Sequence, residues 1–306
     1  MFLSIVIPTY KSSAFIKKSI SEVHYFLEEN HLNFEIIIVN DSGDNNTWEK
    51  LKQISSELKN IKVYNLYKNF GQHYSNHIGF IKSKGDFIIT MDDDSQNPPD
   101  QILKLIEEIT KSRVDLVVGV YKERKHNAVR LISSKLMNFL IKKVFNTPNN
   151  FKSSNFRLLS RPLINRIINS NPNFPYTTGQ ALKFASSIRN IQVMHRGSLR
   201  KKSNYNIFSL FSLAWNALAN YSNIPLRFVS LGGLLLSLIS IVFFIYIITF
   251  TFVMGISTPG WASICALISF FSSIQFVILA VMSEYLYKQS NSSNHSFEMA
   301  INEFHE

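Results

Sequence analysis

The chain is poor in cysteine, with a single one, Cys265, in 306 residues. That excludes an internal disulfide and any cysteine-built zinc site. Acid is missing over most of the second half, where every charged side chain between Glu123 and Glu284 is basic. From residue 228 to residue 283 there is no charge of either sign and no histidine. Two phosphate-binding patterns are absent as well. No GxGxxG follows the first apolar run and no GxxxxGK[ST] occurs anywhere, so dinucleotide and P-loop readings lose their main support. His73 and His77 lie four apart on a helical pattern, but no HExxH accompanies them. They read as structural or substrate-lining residues.

What the uncharged stretch contains is apolar. It is broken only around 254–261, where Gly255, Pro259 and Gly260 signal a turn. The two halves hold roughly 20–25 apolar residues each, enough to cross a bilayer. Arg196, Arg200, Lys201, Lys202 and Arg227 precede the first half and Lys288 follows the second, while the turn carries no charge. By the positive-inside rule both ends then lie in the cytoplasm. The opening "FLSIVIP" is too short for a signal-peptide core and reads as a first strand. The net charge is +11, with 32 Lys and Arg against 21 Asp and Glu. No nucleic-acid motif accompanies this excess, so anionic lipid and phosphate are the expected partners and nucleic acid is not. A basic amphipathic helix fits 127–145, and the aromatic-rich segment 206–222 fits a helix lying in the membrane interface. The expected organisation is a catalytic domain over 1–203, a juxtamembrane region over 204–227, membrane spans over 228–254 and 261–287, and a polar, mobile cytoplasmic tail over 288–306.

The first 120 or so residues alternate strand and helix. Strands are expected at 2–7, 34–40, 61–66, 86–91 and 114–119, and helices at 13–29, 47–58, 74–83 and 99–111. Repeated βα units argue for an α/β fold, a mostly parallel sheet covered on both faces. In such sheets ligands bind beyond the carboxyl ends of the strands. "TMDDDSQNPPD", residues 90–100, falls there, between a strand and a helix. Adjacent carboxylates repel unless something neutralises them. Asp92 and Asp94, alternating along an extended loop with Gln96, offer three oxygen ligands to a hard divalent cation, which in turn binds phosphate. The plainer alternative is an acidic cap or solvated turn. The loops after the first two strands, "IVIPTY" and "IIIVNDSGDNNTWE", share the same sheet edge.

These segments, with "NFGQ", "DLVVG", "NFRLLSR" and "KSNY…NIPLR", occur in one order over 3–290. In that order they resemble the family-two glycosyltransferases that load a sugar onto a polyprenyl phosphate. That group includes dolichol-phosphate mannose synthases, bacteriophage-type undecaprenyl-phosphate glucosyltransferases and aminoarabinose-type transferases, the last being nearest through "KSNY" and "NIPLR". The resemblance implies a GT-A fold, inverting transfer from a nucleotide-sugar with uridine as the expected base, and an undecaprenyl-type phosphate acceptor. It further implies a place in the cytoplasmic membrane and a homo-oligomer, by analogy a tetramer. By position, Pro8 and Tyr10 frame the base, Asp41 and Asp93 contact the nucleotide-sugar, and Asp92 touches the ribose or diphosphate. Asp92, Asp94 and Gln96 hold Mg²⁺ or Mn²⁺, and Arg124, Arg130, Arg157 and Lys202 meet the acceptor phosphate. Four positions depart from many relatives. Asn40 and Asn45 replace Asp, Tyr121 replaces Arg, and Asn155 stands where some relatives carry an Asp cast as catalytic base. A phosphate acceptor needs no such base, because it is already anionic at neutral pH. A hydroxyl acceptor would need one, from Asp93 or Asp115. A non-catalytic nucleotide-sugar-binding scaffold is the third reading.

Overall fold

The computed structural model describes residues 1–41, 44–121, 151–172, 175–196 and 297–306, with scattered positions between 231 and 289. The chain divides into two compact units, 1–214 with 294–306, and 215–293. The expected membrane spans, interfacial helix and basic helix fall largely or wholly outside the described residues. Among the described residues no helix is long and apolar enough to cross a membrane.

The first unit is an eight-stranded sheet in the order β7-β5-β6-β4-β1-β2-β3-β8. Strands β1 (Phe2–Thr9), β2 (Asn33–Asn40), β3 (Ile61–Leu66) and β4 (Phe87–Thr90) are mutually parallel. Their near-continuous apolar runs suit strands buried on both faces. Helices α1 (Ile16–Glu29), α2 (Asn45–Glu57) and α4 (Gln101–Ser112) cover one face. Each does so through a stripe at helical spacing, such as Ile16, Ile20, Val23 and Leu27 on α1. The other face is covered by α3 (Gln72–Lys82), α5 (Arg161–Asn169) and α6 (Thr177–Phe184). In α3 a Cβ on Gly79 would meet Val6 at 2.3 Å, so glycine lets this helix lie close on β1.

Every strand and helix expected in the first 120 residues is present, with ends shifted by a few residues. The later strands are new. β5 (Leu116–Tyr121) does not pair with β4, because β6 (Arg157–Ser160) inserts antiparallel between them. β7 (Ile188–Val193) then runs parallel to β5 on its outer side. One sheet edge therefore collects the C-terminal ends of β1, β2, β4, β5 and β7 together with the start of β6.

The expected mobile tail is corrected at its end. Phe297–Ala300 forms a 3₁₀ turn and β8 (Ile301–His305) pairs antiparallel with β3. Phe297 is 4 % exposed and packs against Tyr74 and His77, with ring centroids 4.8 and 4.2 Å away. The Trp48 indole N–H donates to Glu303 at 2.6 Å and the Tyr64 hydroxyl to Glu306 at 2.7 Å. Apolar burial and an open strand edge beside β3 thus fix a segment whose composition is polar. Phe297→Ala is expected to destabilise the protein by about 3 kcal/mol, as for loss of a buried aromatic. Thermal unfolding of the purified protein checks this.

Candidate active site

The site lies where β1 and β4 part company, the topological switch point of the parallel strands. After β4 the chain enters the acidic loop, and its three carboxylates take different directions. Asp92 accepts the Gln72 amide at 2.5 Å from α3, and the Asn155 amide at 3.3 and 3.4 Å from the lead-in to β6. Asp93 is 4 % exposed and accepts the Ser12 hydroxyl from the loop after β1. Asp94 accepts the backbone N–H of Gln96 at 3.2 Å and its side-chain amide at 2.5 Å. Ser95 between them has φ 57°, a left-handed turn that folds Gln96 back onto Asp94. Burial, then the charges of Asp94 and Asp93, pushes the Asp92 carboxyl up to about 6 against the hydrogen bonds from Asn155 and Gln72.

The donor set fits a hard divalent cation in one form only. Among the described residues no three His, Cys, Asp or Glu side chains converge, because Asp93 is turned inward. What remains is Asp92, Asp94 and the Gln96 amide oxygen. Two carboxylates and an amide oxygen suit a cation that fills its other positions with water and phosphate oxygens. In the structure Gln96 Oε1 lies 2.6 Å from His195 Nε2, so ligation through that oxygen requires the amide to turn over.

His195 is a residue that sequence reasoning missed. It follows β7, and its ring packs edge-on against Tyr121 at 4.3 Å. The neighbouring backbone N–H groups hold the same loop, Arg196 donating to Gln96 O at 2.9 Å and Met194 to Gln101 Oε1 at 3.0 Å. Tyr121, in place of an arginine, donates its hydroxyl to Asn97 at 2.5 Å. Nothing in "MHR" marks this role locally. It becomes visible only once Val193 is seen paired with Tyr121.

Asp41 is 4 % exposed and each oxygen accepts one backbone N–H, from Phe70 and Gly71, at 2.7 Å. It thereby ties β2 to the start of α3. Gly71, at φ 94° and ψ 152°, occupies a backbone region that side chains avoid. Burial pushes the Asp41 carboxyl up to about 6, against hydrogen bonds from Phe70, Gly71 and Ser75. A raised acid pKa means the folded state holds its proton more tightly than the unfolded chain. Asp41's contribution is therefore fully present below about pH 4 and is lost as pH rises through about 6. Thermal melts between pH 4 and 7 should show Asp41→Asn flattening this loss, which is on the order of 2 kcal/mol.

Of the other predicted residues, Pro8 is buried in β1 and Tyr10 stands half-buried just past its end. Asn40, in place of Asp, donates to Asn65 across the β2–β3 pair at 2.8 Å, a neutral bond that needs no counter-charge. His73 and His77 are pushed down to about 4, chiefly by burial, and stay neutral at pH 7. Arg157 is 2 % exposed. Arg124, Arg130 and Lys202 lie outside the described residues.

Fold and site together define a glycosyltransferase of the GT-A type. The chain belongs to glycosyl transferase family 2, whose family model matches residues 4–168. It is similar to an undecaprenyl-phosphate 4-deoxy-4-formamido-L-arabinose transferase of Shewanella sediminis, with 27 % identity over 93 % of this chain and 87 % of the relative. A protein of the same description in Pseudomonas fluorescens is 26 % identical over 93 % of this chain and 84 % of the relative. Among solved structures, glucosyl-3-phosphoglycerate synthase from Mycobacterium tuberculosis, in complex with Mn²⁺, uridine diphosphate and phosphoglyceric acid, superposes with a TM-score of 0.52. At 16 % identity, covering 72 % of this chain and 76 % of that one, this is a likeness of fold.

Proposed function

We propose that the protein transfers a sugar, with inversion, from a uridine-type nucleotide-sugar to a polyprenyl phosphate of the undecaprenyl kind at the cytoplasmic face of the membrane. A phosphate oxygen of the lipid attacks the anomeric carbon, and the bond from that carbon to the nucleoside diphosphate breaks, the diphosphate leaving with the electron pair. Asp92, Asp94 and Gln96 would hold Mg²⁺ or Mn²⁺, which when bound would supply positive charge against the departing diphosphate. The strand tips carrying Pro8, Tyr10 and Asp41 hold the nucleoside end. Arg124, Arg130 and Lys202 meet the lipid phosphate. The two apolar stretches 228–254 and 261–287 cross the membrane with both termini cytoplasmic, and copies of the chain associate. The product serves cell-envelope glycan or lipopolysaccharide modification.

The observation that carries this reading is the commitment of Asp93 and Asp115, the two carboxylates expected to serve a hydroxyl acceptor as base. Asp93 is buried against Ser12. Asp115 precedes β5 at the end opposite Tyr121, about 20 Å away along the strand, where it accepts from Ser160, Arg166 and Ser186. An acceptor that arrives ionised needs neither. The names of the curated relatives support the same acceptor. The test is to incubate membranes containing the protein with polyprenyl phosphate and a panel of nucleotide-sugars, then identify the lipid product by mass. A sugar appearing on a diacylglycerol or a glycan, and not on polyprenyl phosphate, would overturn the acceptor assignment.

A further inference from the structure

Arg157 is the largest of the fully buried side chains among the described residues. No carboxylate among them is in ion-pair contact with it. Its guanidinium donates to Thr178 Oγ1 and to Asn155 Oδ1, each at 3.1 Å, and its Nε finds no partner. A buried cation without an opposing charge is costly. The opposing charge is Asp92, one amide away, since Asn155 faces both Asp92 oxygens through Nδ2.

The chemistry of the three groups fixes their order. An arginine only donates, and an ionised carboxylate only accepts. A group between them must accept on one side and donate on the other, which an amide does and a carboxylate cannot. The orientation of the Asn155 amide is set by these neighbours, its oxygen towards Arg157 and its nitrogen towards Asp92. An Asp at this position would satisfy Arg157 but turn lone pairs towards Asp92. The asparagine that replaces a base in some relatives is therefore suited to a different task. Asp92 is held from two sides by amides, Gln72 on α3 and Asn155 before β6, and Arg157 anchors the second from inside the protein.

We propose that Asn155 and Arg157 form a positioning relay that sets the place and orientation of Asp92, and that Arg157 acts through this relay rather than on the acceptor phosphate. The proposal rests on the reading of Asp92 as a cation ligand. It moves Arg157 from the lipid site to the support of the metal site. Partners that orient metal ligands typically change affinity by about 10- to 100-fold when removed.

The test is Mn²⁺ binding to the full-length purified enzyme without donor or acceptor, read as free Mn²⁺ by electron paramagnetic resonance, with steady-state kinetics alongside. Asn155→Ala and Arg157→Met are each expected to weaken Mn²⁺ binding about tenfold or more. The double variant should be no weaker than the worse single one, since both break one chain. Turnover should fall while KM for polyprenyl phosphate stays within about twofold of wild type. Arg157→Lys keeps the charge without the fork and should recover part of the affinity. It also keeps the question open to measurement if Arg157→Met does not fold. Folded Asn155→Ala with wild-type Mn²⁺ affinity would overturn the relay. So would Arg157→Lys or Arg157→Met with unchanged Mn²⁺ affinity and a raised lipid KM, which would return Arg157 to the acceptor. Wild type that binds no Mn²⁺ would remove the relay's premise. The lipid product identified by mass tests the functional reading separately from all of these.

Discussion

Asp94→Asn is expected to lower divalent-dependent turnover by on the order of 10²-fold or more while the protein stays folded, the scale for losing one preorganised charge-stabilising group. Asp94 is 8 % exposed and accepts the backbone and side-chain N–H groups of Gln96, two residues on. Asparagine keeps the size and shape of the side chain, so the loop is expected to keep its fold. The substitution removes a negative charge from a loop of three acids and sets an Asn amide against the Gln96 amide. Cation binding weakens directly, because one hard anionic ligand becomes neutral. Turnover measured against Mn²⁺ concentration, beside a thermal melt, separates loss of metal from loss of fold. Near-normal turnover of the wild type in EDTA would remove the metal role altogether.

The parts of the fold that could be read from the sequence are those whose cause is local. β1, β2 and β4 are near-continuous apolar runs buried on both faces, and α1 and α4 repeat apolar residues at helical spacing, so pattern alone finds them. The position of the acidic loop follows from the strand before it. β6 could not be found this way. Its four residues pair with Phe87–Thr90 and Leu116–Val118, and "RLLS" carries no alternation that sets it apart. β8 is equally hidden, because a polar segment becomes a strand only where β3 leaves an edge open. Within the site, three identical acids give no local sign of which one turns inward. That is decided by Ser12 across the switch point and by the left-handed Ser95. Likewise the resemblance assigned Arg157 to the acceptor from its place in a motif, whereas its burial and its bond to Asn155 appear only when β6 is laid beside β4.

Polyprenyl phosphate should be glycosylated at least about 10²-fold faster than the corresponding polyprenol, the scale at which a missing general base is felt. A hydroxyl must lose its proton as it attacks, and neither the two carboxylates expected to take it nor the two helical histidines are suited to do so. Asp93 and Asp115 are committed elsewhere. His73 and His77 are pushed down to about 4 by burial, too weakly basic to serve near pH 7. His73 lies against Tyr176 and His77 against Phe297, inside the protein. Asn155 has no basic site to offer. A phosphate monoester loses its second proton near about pH 6. With saturating donor, kcat/KM for the lipid phosphate should therefore rise as pH increases through about 6 and then level off, following the acceptor's ionisation. Asn155→Asp should not confer activity on polyprenol, because the new carboxylate would be taken by Arg157. Polyprenol glycosylated as fast as polyprenyl phosphate by the wild type would refute the phosphate acceptor. A gain of polyprenol activity in Asn155→Asp would show instead that position 155 can still reach the acceptor as a base.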